Sequence, residues 1–201
     1  MRNKLNIGDQ MPSINLKDIN GRRVNLKGKK TVLVFYRFVG CPVCALTMMP
    51  FTAYLKTLKD INIVYAYTSE KEKCLTAQKE APFPENFHVI SNSSKTLYQS
   101  FGLNNRSILG MIKSMIRYFP KLKKSNESLK SEGIFVDVSK FGIDGDMRIH
   151  PGDFLIDENG KIVTAHYGQD WADHISLDRI KQFAESTSKV HQFEGIDEDV
   201  S

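Results

Sequence analysis

The chain has 201 residues, of which 41% are hydrophobic, with 28 lysines and arginines, 23 acidic residues and a net charge of +5. This length suits one α/β domain with an insertion, and its three cysteines are too few for a disulfide-stapled fold and fit a reducing compartment. Residues 1–9 lack the apolar segment of a signal peptide, and no run of about 18 apolar residues follows, so we expect a cytoplasmic protein without a transmembrane segment.

The start of the chain predicts a hairpin and then a buried strand. Residues 14–16 and 24–26 flank a turn at 18–21, as is typical of a β-hairpin. Residues 31–38 are β-branched and aromatic without a breaker, as expected of a strand buried on both faces.

Gly40 ends this strand, and a Cys-Pro-Val-Cys motif follows where a helix begins. Apolar residues at three- and four-residue steps carry the helical period: Leu46, Met49, Tyr54, Leu55 and Leu58. Pro42 suits the first helical position, because an N–H there has no partner within the helix. Cys41 would then lie at the helix N-terminus, which favours a thiolate, with Cys44 one turn on. This arrangement indicates a redox site.

Strands and helices then alternate, which predicts a mainly parallel sheet covered on both faces. The strands are expected at 61–67 and 87–90, and the helices at 70–80 and 95–101. Cys74 lies on the first of these helices. We interpret it as a small buried hydrophobe, with a more distant resolving thiol as the alternative.

Residues 103–148 interrupt this alternation as an insertion. A helix that stops at Pro120 is expected to begin it, with one apolar face formed by Ile108, Leu109, Ile112, Met115, Ile116 and Phe119. A lid, a partner surface or a membrane-surface element are possible roles. We favour a helix packed on its own domain.

The positive charge of the chain is concentrated in this insertion. Seven basic and two acidic residues lie between positions 103 and 132. Such patches attract nucleic acid, anionic lipid or acidic substrates. No aromatic stacking motif or recognition helix accompanies this one, so we interpret it as a solvated surface and expect no nucleic-acid partner.

The chain closes with a second hairpin and a helix. Residues 153–157 and 161–166 flank an Asn-Gly turn, and a helix over 177–184 follows. Residues 187–201 are polar and acidic, and we expect them to be disordered. A single domain is therefore predicted over 1–186.

Polar residues of this last segment allow a metal site only if they share one helix. His166, Asp170 and His174 are spaced by four, but His166 ends a strand pattern, so we expect no metal and no cofactor. Trp171 would line the thiol cleft or anchor the last loop.

Five segments form a recognisable set: Gly8-Asp9 with Pro12, Asn20-Gly21, the strand into Cys41-Pro-Val-Cys44, Tyr98 through Gly102, and Pro151 through Asp157 before Asn159-Gly160. Together they resemble the AhpC/TSA peroxiredoxin-like branch of the thioredoxin fold. The resemblance implies a central mixed sheet flanked by helices, an N-terminal hairpin and a helical insertion before the last hairpin. It also implies that Pro151 is a cis-proline facing the two cysteines.

The chain departs from that family pattern around the thiols. Typical peroxiredoxins carry a proline and a threonine seven and three residues before the peroxidatic cysteine. Counting back from Cys41 gives Val34 and Phe38, and counting back from Cys44 gives Arg37 and Cys41. The spacing therefore leaves open which sulfur would attack a peroxide.

The family arginine of a later strand is also missing, because Pro151 stands near its place. Arg37 and Arg148 are candidates to supply the positive charge instead. His150 is a candidate proton donor, with a buried or surface structural histidine as the alternative.

The predicted function is a thiol-based oxidoreductase that exchanges disulfides through the Cys41/Cys44 dithiol. A thiol peroxidase with antioxidant activity is the first alternative, and a redox sensor or binding protein without turnover is the second. The expected partners are an external thiol reductant, such as thioredoxin or glutathione, and a disulfide or peroxide substrate. The oligomeric state stays open.

Overall fold

The computed structural model describes residues 4–80, 82–105, 108–117 and 142–186. The predicted C-terminal tail and residues 118–141 of the predicted insertion lie outside these ranges. Within them, no helix is long and apolar enough to cross a lipid bilayer.

A five-stranded mixed sheet forms the centre of the protein, in the order β5-β4-β3-β6-β7. β3 is Thr31–Phe35, and it pairs in parallel with β4, Asn62–Tyr67, which pairs in parallel with β5, Phe87–Ser91. β6, Gly152–Ile156, runs antiparallel to β3 and carries β7, Ile162–Tyr167, on its outer edge. A separate hairpin joins β1, Leu16–Lys17, to β2, Arg23–Val24. The predicted mixed sheet and N-terminal hairpin are confirmed.

Helices cover both faces of this sheet, because side chains of a strand alternate between its faces. One core cluster contains residues of α1 (Pro42–Leu55), α2 (Lys71–Glu80) and α5 (Leu177–Glu185). The other contains residues of α3 (Thr96–Ser100). The cysteine-bearing helix α1 therefore lies on the first face.

Residues 108–117 form a further helix, α4, whose apolar stripe points outward. Its exposed side chains are Ile108, Leu109, Ile112, Met115 and Ile116, which are 39–67% accessible. Our interpretation that this stripe packs on its own domain is therefore wrong for the described residues. The opposite side holds the helix, because Met111 contacts the core cluster of the α1 face and Arg117 pairs with Asp170 at 3.1 Å.

The end of β3 is held where the site begins. The Tyr98 hydroxyl of α3 lies 2.6 Å from the carbonyl oxygen of Tyr36 and 2.8 Å from that of Ala66, and it can donate to either. Tyr36 N–H also donates to the Ala66 carbonyl at 2.9 Å. The backbone immediately before Arg37 is thereby fixed against β4.

Candidate functional site

Cys41 is the N-cap of α1, as its place in the sequence predicts. Its backbone is extended, with φ −79° and ψ 110°, and its Sγ accepts the backbone N–H of Cys44 at 3.2 Å. Pro42 occupies the first turn. Both thiols are free and buried, at 1% exposure for Cys41 and 5% for Cys44. The two sulfurs thus belong to one helical turn below the surface.

Two glycines let the end of the insertion close over the turn before Cys41. A Cβ on Gly40 would collide with the carbonyl oxygen of Gly142, and a Cβ on Gly145 would lie 2.7 Å from Phe38 Cβ. Ser69 Oγ ties the same two segments, because it accepts Val39 N–H at 2.8 Å and donates to an Asp144 oxygen at 2.9 Å. This clamp shields the cysteine turn from water.

Arg37 brings a positive charge to the thiols. Its Nη2 donates to Cys41 Sγ at 2.7 Å, and its guanidinium carbon lies 4.2 Å from the centre of the Trp171 ring. The side chain is 2% exposed, and no carboxylate among the described residues pairs with it. A buried cation is costly unless an anion offsets it. Within the part of the chain that the structure describes, the only candidate anion in contact with Arg37 is a cysteine thiolate.

Trp171 both lines the thiol site and anchors the last loop. Its indole N–H donates to the Met147 carbonyl at 3.2 Å, which joins the loop after β7 to the end of the insertion. Its ring packs on the Arg37 guanidinium, an arrangement that suits cation–π attraction.

The two thiols share one negative charge. Burial raises the pKa of each thiol, but a hydrogen bond from Cys41 and the charge of Arg37 bring the pKa of Cys44 well below its usual value, whereas the hydrogen bond and charge of Cys44 hold that of Cys41 well above it. The two sulfurs share one proton, and the 2.7 Å contact of Arg37 with Cys41 Sγ also allows the charge to lie on that sulfur. At neutral pH we therefore expect one thiolate and one thiol.

The other predicted site residues lie elsewhere. Arg148 is half-exposed and donates to Asp146 through Nε and Nη2, both at 3.3 Å. His150 and Pro151 line a cavity of about 210 Å³ together with Leu103 and Tyr167, which belong to the core of the face opposite α1. The predictions that Arg148 supplies positive charge to the thiols and that His150 donates a proton remain untested, and the positions of these two side chains do not favour them.

The peptide bond before Pro151 is trans, like every other peptide bond of the described residues. The cis geometry implied by the family resemblance is therefore wrong. The Pro151 carbonyl instead accepts the N–H of Gly168 at 2.9 Å, which holds the strand against the turn after β7.

Sequence reasoning missed the pairing of His174 with Asp153. His174 Nδ1 lies 2.8 Å from an Asp153 oxygen, and both side chains are buried. An aspartate in an otherwise apolar strand pattern was the available signal. His166, the other histidine of the predicted spacing, contacts Asp173 at 3.1 Å. Among the described residues, no group of three histidine, cysteine or acidic side chains is arranged to hold a metal ion.

Cys74 should be the least reactive thiol of the folded protein. Burial, and then Asp144, Glu70 and Glu72, raise its pKa to about 12. We expect native-state alkylation by iodoacetamide at pH 7.5 to be at least about 100-fold slower at Cys74 than at the Cys41/Cys44 pair, because only the thiolate reacts. Peptide mass spectrometry after timed labelling measures this difference. Labelling in guanidinium chloride is the control, and equal native rates would contradict the prediction.

Comparison with known proteins adds the family and the fold. Residues 7–165 match the model of the AhpC/TSA family. A sequence comparison with curated proteins finds no match.

Solved structures with similar folds include a peroxiredoxin-like protein from Aquifex aeolicus, with TM-score 0.63, 11% identity and coverage of 90% of this chain and 86% of that one. A thiol peroxidase from Chromobacterium violaceum has TM-score 0.61 and 12% identity, and the match covers 90% of this chain and 86% of that one. A structure described as thiol:disulfide interchange protein DsbE, from Chlorobium tepidum, has TM-score 0.54 and 19% identity, and the match covers 90% of this chain and 99% of that one. At these identities the likeness shows a thioredoxin-like fold.

Proposed function

The chain belongs to the AhpC/TSA family of thiol-based redox proteins, and from this premise we propose that it exchanges disulfides through the Cys41/Cys44 dithiol. One observation carries the proposal: the buried Arg37 guanidinium donates to Cys41 Sγ, which also caps α1. Both contacts favour a thiolate, and a thiol one turn away favours rapid closure of a disulfide.

The exchange runs in two steps. The Cys41 thiolate attacks a sulfur of the substrate disulfide and releases one substrate thiolate, which leaves a mixed disulfide. Cys44 then attacks Cys41 Sγ, the Cys41–Cys44 disulfide forms, and the second substrate sulfur departs. An external thiol reductant, such as thioredoxin or glutathione, would restore the dithiol.

A thiol peroxidase is the second candidate, and the burial of both sulfurs favours it. The two cysteines are at most 5% exposed, so a small peroxide reaches them with less rearrangement than a protein disulfide does. One thiolate would attack the peroxide to give a sulfenic acid, which the other cysteine converts to the disulfide with loss of water. Arg37 would stabilise the charge that develops on the departing oxygen.

The rate of oxidation by peroxide distinguishes these candidates. Reduced protein is mixed with one equivalent of hydrogen peroxide, alkylated at intervals and analysed by mass spectrometry. For disulfide exchange we expect oxidation over many minutes, as for an ordinary thiol, together with catalysed reduction of insulin by dithiothreitol.

Each other outcome has a definite meaning. A Cys41–Cys44 disulfide formed within about a second would replace exchange by peroxidase activity, because only an activated thiolate reacts so fast. A protein that is oxidised once, and that does not turn over repeatedly when a thiol reductant is supplied, would be a redox sensor and not an enzyme. A Cys74→Ser variant is the control, and its behaviour should match that of the unmodified chain.

A further inference from the structure

A buried histidine–aspartate pair lies on the face of the sheet that α1 covers, since the His174 ring packs on Phe51 of α1. His174 and Asp153 are 3% and 1% exposed, and His174 Nδ1 is 2.8 Å from Asp153 Oδ1. The other carboxylate oxygen accepts the backbone N–H of Ile175 at 2.8 Å. The buried Nε2 of His174 has no hydrogen-bond partner among the described residues. The imidazole is thus held by one nitrogen, and the other is available for a proton.

Several elements pack against this imidazole. The Tyr36 ring next to Arg37 lies 5.1 Å away and the Phe51 ring of α1 lies 5.9 Å away. Burial by itself would lower the pKa of His174, but Asp153, Cys44 and Asp173 together raise it. The thiol pair and the histidine therefore influence each other's protonation.

The reaction needs a proton that the thiol pair does not hold. Reducing a disulfide to two thiols takes two electrons and two protons, and so does reducing a peroxide to an alcohol and water. Because Arg37 favours one thiolate, the reduced pair carries both electrons but only one thiol proton. A second proton must be supplied close to the sulfurs or drawn from water.

We propose that His174, held by Asp153 on the face of the sheet that α1 covers, stores this second proton in the reduced protein and gives it up when the Cys41–Cys44 disulfide forms. The proposal rests on the proposed function for its substrate, a disulfide or a peroxide. His174 acts through the thiol pair and is a positioning residue, since no hydrogen bond among the described residues joins it to either Sγ.

The balance closes for either substrate. The reduced state holds one thiolate, one thiol and an imidazolium. The oxidised state holds a disulfide and a neutral imidazole, so two electrons and two protons have left the protein. A disulfide substrate takes them up as two thiols, and a peroxide takes them up as an alcohol and a water molecule.

Titration of the histidine rings by NMR in both redox states of the full chain tests the proposal directly. Loss of the thiolate should lower the pKa of His174 on oxidation by about two units, from above neutral pH to below it, because a much smaller shift would release only a fraction of one proton. A shift of roughly one to three units is the size expected for loss of a nearby opposite charge. His88 is the internal control, because it makes a similar 3.0 Å contact with Asp18 but lies on β5, with β4 and β3 between it and β6. An unchanged His174 pKa would overturn the proposal.

If the thiolate raises the pKa of His174, the charged histidine must in turn lower the pKa of the thiol pair by the same amount. A variant without this histidine measures that effect. In His174→Gln the thiol pair, followed by thiolate absorbance at 240 nm, should titrate at a pKa higher by about two units, the same size as the shift of His174 on oxidation. The matched variant His88→Gln should titrate like the unmodified chain. An unshifted pair in a folded His174→Gln protein would also overturn the proposal.

These readouts stay separate from turnover. If the protein shows the redox-linked shift of His174 but no activity with disulfides or peroxides, the proposed function fails and the proton store stands. If activity is present and the shift is missing, the proton store fails and the proposed function stands. Should His174→Gln not fold, the NMR titration of the unmodified chain decides the question.

Discussion

Replacing Cys41 with serine should lower turnover with a disulfide or a peroxide by at least about 1000-fold, because a serine hydroxyl does not ionise near neutral pH and cannot form a disulfide. The fold should survive. Serine is a favourable N-cap, and its Oγ can accept the Cys44 N–H that Cys41 Sγ accepts now. Steady-state reduction of insulin and of hydrogen peroxide measures the loss, and circular dichroism checks the fold.

The matched variant Cys44→Ser separates the two sulfurs. If Cys41 attacks first, this variant should accumulate a mixed disulfide on Cys41 that mass spectrometry detects, because the resolving thiol is gone. Full activity of Cys41→Ser, or a substrate adduct on Cys44 in that variant, would show that Cys44 is the attacking thiol. Cys74→Ser should retain activity in every case, since that thiol lies apart on α2.

Replacing Arg37 with methionine should raise the pKa of the thiol pair by roughly one to three units, the range seen when an adjacent cation is lost. Because the pair of the unmodified chain is expected to be ionised at pH 7, the thiolate fraction and the rate of oxidation there should fall by about 2-fold to 100-fold, and the rate should recover at higher pH. Methionine keeps an apolar contact with the Trp171 ring, so the change is mainly one of charge. Thiolate absorbance and alkylation rates across pH 5–10 measure it.

Arg148→Met is the control for this prediction. Arg148 is paired with Asp146 at the surface, so its loss should leave the thiol titration unchanged. Arg37→Lys retains the charge on a different geometry and should give an intermediate shift. If Arg37→Met titrates like the unmodified chain, the guanidinium does not stabilise the thiolate, and the helix N-terminus alone must do so.

Local patterns account for the parts of the fold that could be predicted. The strand before Cys41 is recognisable from its unbroken β-branched and aromatic residues, and the helix after it from its apolar period, because both signals lie within a few residues of one another. The cap formed by Cys41 and Pro42 follows from the same local geometry. The outward turn of α4 did not follow, because an apolar stripe has the same period whether it faces a core or solvent.

The positioning of charge around the thiols shows the same limit. His150 was a candidate because it adjoins Pro151 in the chain, whereas the structure brings it to a cavity on the other face of the sheet. The buried histidine on the α1 face is His174, which packs on Phe51 and contacts Asp153 at a separation of 21 residues in the chain. Contacts of this kind depend on which strands pair and on which face each side chain lies, and neither is encoded in neighbouring residues.

The sequence by itself determined the place of the Cys-Pro-Val-Cys motif between a strand and a helix and the family pattern around it, because these depend on local period, capping and turn chemistry. Only the tertiary structure decided that Arg37 rather than Arg148 contacts Cys41 and that the loop after β7 brings Trp171 to Arg37 and His174 to Asp153. The physical reason is desolvation. Burial makes each charge depend on the few partners that packing brings within reach, and those partners come from distant parts of the chain.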